Sequence, residues 1–115
     1  MNLDNAVAAH AQWKTRFRAA ISSKEALDAA TIGKDNCCEL GKWLHGEGKL
    51  QLGTKPEFMA LIERHKGFHA EAGKVASLIN GKKYAEAEAA IGGSTPFGLA
   101  STETSVAIAR VKKIA

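Results

Sequence analysis

Between Pro56 and Gly81 the apolar residues Phe58, Leu61, Ile62, Phe68, Ala72, Val75, Ala76 and Ile79 recur at steps of three and four. That period predicts one long helix, Pro56 to Asn80, with an apolar face against other helices. Thr54 fits its opening, Pro56 its first turn, Glu57 its positive end and Gly81 its stop. Two positions on this face are not apolar. His65 and His69 stand four residues apart, one turn above each other, so both imidazoles point into the packing surface. Buried ring nitrogens are costly unless they are bonded. Ordinary hydrogen bonds would serve, and so would a metal ion; the pair alone leaves both open.

The remaining chain is also helical in pattern. A first helix is expected from about Leu3 to Ser22, with Leu3, Val7, His10, Trp13, Phe17, Ala20 and Ile21 in one stripe. His10 is thus a third histidine on an inward face. Ser23 can cap a short helix, Lys24 to Ala30, broken by Thr31-Ile32-Gly33. Asp35 or Asn36 can cap the next, which carries C-C-E-L-G-K-W-L-H-G and ends near Gly46. Cys37 and Cys38 then lie in its first turn, where the helix end favours thiolate. Gly41 suggests close packing on another helix, and Leu40 and Trp43 enter the core. Gly46, Gly48 and Gly53 mark a surface turn with at most one loose helical turn. After Lys82, Tyr84, Ala87, Ala90 and Ile91 form a stripe that breaks at Gly92 to Pro96. Leu99, Val106, Ile108 and Ala109 resume it toward Ile114. No strand pattern occurs. The expected fold is all-α: an antiparallel four-helix bundle with additional short helices, residues 1–115 forming a single domain.

Charge and cysteine usage narrow the function. The formal net charge of +4 is mild, and the lysines and arginines are scattered without an aromatic-and-basic reading motif. Nucleic acid is therefore not an expected partner. The start M-N-L-D-N has no signal-peptide pattern, and no apolar run approaches a membrane span, so a cytoplasmic location and no membrane contact are expected. The two cysteines are neighbours, which makes no disulfide framework. Packing, metal ligation or redox chemistry remain for them.

The candidate ligands are His10, one of Cys37 and Cys38, His65 and His69. Four nitrogen or sulfur donors from three helices suit tetrahedral zinc. The lack of a carboxylate in the set argues against calcium and magnesium. A di-iron carboxylate site would need inward-facing glutamates, whereas Glu63 and Glu71 fall on other faces. Lys66 follows His65, so the H-E-x-x-H protease motif is absent, as is the C-x-x-C-H haem motif. His45, at a helix end, is expected to be exposed and near the terminal carbonyls.

The blocks A-H-A-Q-W-K around His10, C-E-L-G-K-W-L from Cys38 and H-K-G-F-H from His65 resemble the chemoreceptor zinc-binding family, in the same order His, Cys, His, His. The likeness continues through Y-A-E-A-E and S-T-P-F. It selects Cys38, the cysteine followed by Leu40, Gly41 and Trp43, and gives no role to Cys37. The resemblance implies a helical bundle with a His₃Cys zinc site, homodimers, and attachment to signalling output domains such as chemoreceptors or diguanylate cyclases. It also implies a regulatory zinc- or oxidant-sensing module; separately, a site with all four positions filled by protein leaves no place for a catalytic water, so no catalytic residues are expected. Two other functions compete: a purely structural zinc domain mediating homodimerisation, and a hemerythrin-like iron- or oxygen-binding bundle.

Overall fold

The long stripe folds as expected. In a computed structural model that describes residues 1–115, it forms α5, Pro56–Asn80, with Pro56 at the first position. Phe58, Leu61, Phe68, Ala72, Val75, Ala76 and Ile79 are buried together with both histidines. The other elements, in chain order, are α1 (Leu3–Ser23), α2 (Ala29–Ile32), α3 (Glu39–His45), α4 (Glu47–Leu52), α6 (Tyr84–Ala90) and α7 (Pro96–Ile114). The chain is all-helical, with three long helices and four short ones.

Side-chain contacts fix the directions of the long helices. Lys112 near the end of α7 pairs with Asp4 at the start of α1, Nζ to Oδ1 2.8 Å. Phe97 at the start of α7 packs on both Phe17 and Phe68. Halfway along, the buried Thr104 hydroxyl donates to the Arg64 carbonyl of α5, 3.1 Å. Thus α7 runs opposite to α1 and α5. The segment of α2, α3 and α4 returns the chain from the far end of α1 to the start of α5. The stripe after Lys82 breaks where expected: α6 has only seven residues, and Gly92 to Thr95 turn the chain before α7. The Thr95 hydroxyl caps α7 by accepting from the Gly98 N–H.

Several local expectations give way to capping chemistry. The helix expected over Lys24 to Ala30 does not form. Lys24 takes a left-handed conformation that ends α1. The Asn80 side chain accepts from the Leu27 N–H and donates to the Leu27 carbonyl, both at 2.7 Å, so neither group can join a helix. Asp28 caps α2 instead, accepting from the Thr31 N–H. Lys55, not Thr54, stands before α5, without a side-chain cap. The Gly46 to Gly53 stretch is more ordered than a turn, forming α4. On α7 the buried face is Phe97, Thr104, Ala107, Ile108 and Val111, while Leu99 and Val106 are exposed. Of the expected stripe Leu99, Val106, Ile108 and Ala109, only Ile108 faces inward: both apolar sets have helical spacing, and only packing separates them.

Buried side chains gather in two apolar clusters. One holds Phe17, Ile32, Phe68, Val75, Ile79, Ile91 and Phe97. The other, toward the start of α1, holds Leu3, Leu40, Leu44, Phe58, Leu61, Ile108 and Val111. Gly73 of α5 lets α2 approach: a Cβ there would stand 2.9 Å from the Gly33 Cα. A Cβ on Gly67 of the same helix would meet nothing within 4 Å. Gly73→Ala is therefore expected to destabilise the domain by about 1–3 kcal/mol through overpacking. Gly67→Ala should stabilise it by about 0.5–1 kcal/mol through helix propensity. Urea denaturation of the two variants checks both signs.

Candidate metal centre

The three histidines and Cys38 meet between the two apolar clusters. His10 comes from the middle of α1 and His65 and His69 from successive turns of α5. Cys38 is the residue that caps α3. It precedes the helix and does not lie in its first turn, as the sequence had suggested. Its sulfur accepts from the Gly41 N–H at 3.3 Å. Cysteine therefore takes the capping role expected of Asp35 or Asn36. Gly41 is needed for a reason other than helix packing. A Cβ at that position would collide with the Asp35 carbonyl oxygen of the loop before the helix.

The donor atoms converge. One atom from each of the four residues lies within 4.8 Å of all the others. His65 Nε2 stands 3.1 Å from His10 Nε2 and 3.0 Å from His69 Nε2. Cys38 Sγ is 3.2 Å from His65 Nε2, 3.5 Å from His69 Nε2 and 3.9 Å from His10 Nε2. Zinc–nitrogen and zinc–sulfur bonds of ordinary length in a tetrahedron would separate nitrogens by about 3.3 Å and sulfur from nitrogen by about 3.6 Å. The distances around His65 and Cys38 match that shape to within about 0.4 Å. No aspartate or glutamate belongs to it.

Ring orientation is set from outside. His10 Nδ1 donates to the Ala6 carbonyl at 2.7 Å, and His69 Nδ1 donates to the Ile32 carbonyl at 2.8 Å. A carbonyl can only accept, so both Nδ1 atoms carry the proton in neutral rings. Both Nε2 lone pairs then face the centre. His65 Nδ1 is buried without a partner. In neutral rings, His65 can donate from Nε2 to only one of its neighbours, and the thiol supplies one more proton. Those two protons serve His10 Nε2 and His69 Nε2, but only with His65 protonated at Nε2, which leaves its buried Nδ1 an unpartnered acceptor. A cation at the centre satisfies the four central atoms together, and the carbonyl partners hold the rings as metal-bound histidines are commonly held.

Burial keeps all four groups uncharged before a metal arrives. It lowers the pKa of His10 and of His69, and for His65 burial with the neighbouring His69 and His10 brings it to about 3. Burial pushes the Cys38 thiol up, against the lowering effect of the Gly41 N–H. The helix-end preference for thiolate expected from sequence is thus outweighed by desolvation. Two other expected features resolve plainly. His45 is exposed and bonds to Asp35, Nε2 to Oδ2 3.1 Å, not to helix carbonyls. Cys37 is exposed and outside the cluster.

The chemoreceptor zinc-binding domain model matches residues 10–76, from His10 to past His69. The chain belongs to that family. No curated protein and no solved structure matches it. The match spans more than half of the chain and includes every residue of the cluster, leaving α6 and α7 outside. A chemoreceptor zinc-binding domain is a zinc-binding unit, and the His₃Cys cluster here is positioned to bind a metal ion. No helix is long and apolar enough to cross a membrane.

Sequence reasoning did not foresee the carbonyl partners. Ala6 lies one turn before His10, so spacing could have shown it. The Ile32 carbonyl reaches His69 only because α2 crosses α5 at Gly33 and Gly73, a tertiary approach with no local signal. The protonation states give a measurable consequence. The histidines are already neutral at pH 7 and the thiol is protonated, so zinc binding should release about one proton per chain. Affinity should then fall about tenfold per pH unit as acid competes for the Cys38 sulfur. Calorimetric titrations in buffers of different ionisation enthalpy measure this. Release of no proton, or of three, would contradict the assigned states.

Proposed function

We propose that this domain is a regulatory zinc-binding sensor of bacterial signalling, in which His10, Cys38, His65 and His69 together ligate one zinc ion. The observation that carries the reading is the inward convergence of four donors whose histidines are oriented by backbone carbonyls. With all four tetrahedral positions filled by protein, none is open for a catalytic water, which supports a regulatory and not an enzymatic role. Zinc when bound supplies a cross-link between α1, the start of α3 and α5.

The chain's own residues determine what that cross-link controls. His65 and His69 sit on the longest helix, packed on both sides by apolar residues. Cys38 sits on a short return leg that runs from α2 to α4, the broken fourth side of the bundle. That leg is held by Ile32, Leu40 and Leu44 and by the Asn80 bonds to Leu27. Loss of zinc, or oxidation of the Cys38 sulfur to a poorer ligand, removes the attachment of this leg through Cys38 and leaves α5 in place. A tether that can be released from an otherwise packed frame is the kind of two-state element a sensor uses.

The wider setting follows the family. The chain acts as one unit over residues 1–115, in the cytoplasm, and passes its state to a signalling output domain of the chemoreceptor or diguanylate cyclase kind. Leu99 and Val106, exposed on α7, give an apolar strip for a homodimer. Neither nucleic acid nor membrane is a partner in this reading.

Removing zinc with a chelator should speed amide hydrogen exchange mainly in residues 33–46, with α5 and α7 still protected. Exchange followed by mass spectrometry on the zinc-loaded and stripped domain tests this. Loss of protection throughout the chain would favour a purely structural zinc domain.

A further inference from the structure

Cys37 is the part of the C-C-E-L-G-K-W block for which zinc ligation gives no role. Its exposed thiol donates to the Asn36 side-chain oxygen, Sγ to Oδ1 3.5 Å. Cys38 beside it is half-buried. Both residues border one cavity of about 330 Å³, which also touches Trp13, Ile32 and His69. Small solutes can therefore approach Cys38 on the side where Cys37 stands. Neither cysteine lies within a helix, since α3 begins at Glu39.

We propose that Cys37 is the resolving thiol of the site: a hydroperoxide oxidises the Cys38 sulfur, and Cys37 then closes a reversible disulfide with it. The inference rests on the reading of Cys38 as a zinc ligand. In the first step the Cys38 thiolate attacks the peroxide. A sulfur–oxygen bond forms, the oxygen–oxygen bond breaks, and the departing alkoxide or hydroxide takes a proton from solvent. In the second step the Cys37 sulfur attacks the sulfenic sulfur. The sulfur–sulfur bond forms, the sulfur–oxygen bond breaks, and the hydroxide leaves as water with the Cys37 proton. The two thiols lose two electrons in all, and the peroxide accepts them.

Geometry makes this bond a switch and not a staple. Adjacent Cα atoms are about 3.8 Å apart. Ordinary disulfides have about 4.4–6.8 Å between theirs, so a bridge here is strained and easily reduced. Cys37 stands outside the cluster, and a Cys38 sulfur bonded to it is no longer a thiolate. Disulfide formation and metal ligation by Cys38 thus exclude one another. The bridge also protects the sulfur, because a sulfenic acid left alone proceeds to sulfinic acid, which ordinary thiols do not reverse.

The test compares zinc-loaded wild-type domain with the Cys37→Ser variant, both treated with hydrogen peroxide. Zinc release is read with a chromophoric chelator and the cysteine peptide by mass spectrometry. The wild type should release its zinc, remain a monomer on a non-reducing gel and lose two hydrogens from the peptide that holds both cysteines. Reductant plus zinc should restore it nearly completely. Cys37→Ser should bind zinc one-to-one beforehand, release it on oxidation, carry two added oxygens on Cys38 and fail to recover. Equal sulfinic acid in both proteins, or a covalent dimer through Cys37, would overturn the resolving role while leaving zinc release intact. Zinc retained with Cys38 unmodified in both would overturn the oxidant-sensing reading and this inference together.

Discussion

Three imidazole nitrogens and one sulfur are aimed at a single point between two apolar clusters, and the surrounding chain is arranged to keep them there. The histidines are at most 3% exposed. Water is not at hand to bond their nitrogens, so this waist of the core is unfavourable unless the donors are satisfied from within. A hydrogen-bond pattern among the four requires the His65 proton on Nε2 and leaves its buried Nδ1 without a partner. A cation satisfies all, and its binding free energy is then also free energy of folding. The polar centre and the apolar clusters are therefore not separate parts. Phe68 lies between His65 and His69 in sequence and packs edge-on to His10 and His69.

The supports around that point differ in strength. On α1 and α5 the ligands are held by long helices with buried faces on both sides. On the return leg they depend on single devices: the Gly33–Gly73 approach, the Gly41 N–H on the sulfur, the Asp35–His45 bond and the double bond of Asn80 to Leu27. The Asp35–His45 pair is partly exposed and contributes little by itself. Its place matters more than its strength, since it closes the stretch from Asp35 to His45 that contains Cys38. On the opposite side, Thr104 fixes α7 to the carbonyl of Arg64, one residue before His65. A change at the cluster thus lies one hydrogen bond from the last helix.

The fold and the ligands were legible in the sequence to different degrees. Helical spacing placed α1 and α5 within a residue, and it put His10, His65 and His69 on inward faces, because long stripes average over many positions. The choice of Cys38 over Cys37 came from the motif resemblance; the geometry agrees that Cys38 is the cysteine in the cluster. Short elements were read poorly. Nothing local shows that Asn80 will occupy Leu27 and so stop the helix expected over Lys24 to Ala30. The inward face of α7 was misread because Leu99 and Val106 match the helical period as well as Ala107 and Val111 do. The thiol's environment was misread because a helix end is visible in sequence and burial is not.

The most direct measurement is X-ray absorption at the zinc edge on the domain purified without an affinity tag. One zinc per chain should be found, with about three nitrogen neighbours near 2.0–2.1 Å and one sulfur near 2.3 Å. A shell of oxygen donors, two or more sulfurs, or a pair of metal ions would contradict a His₃Cys site built from His10, Cys38, His65 and His69.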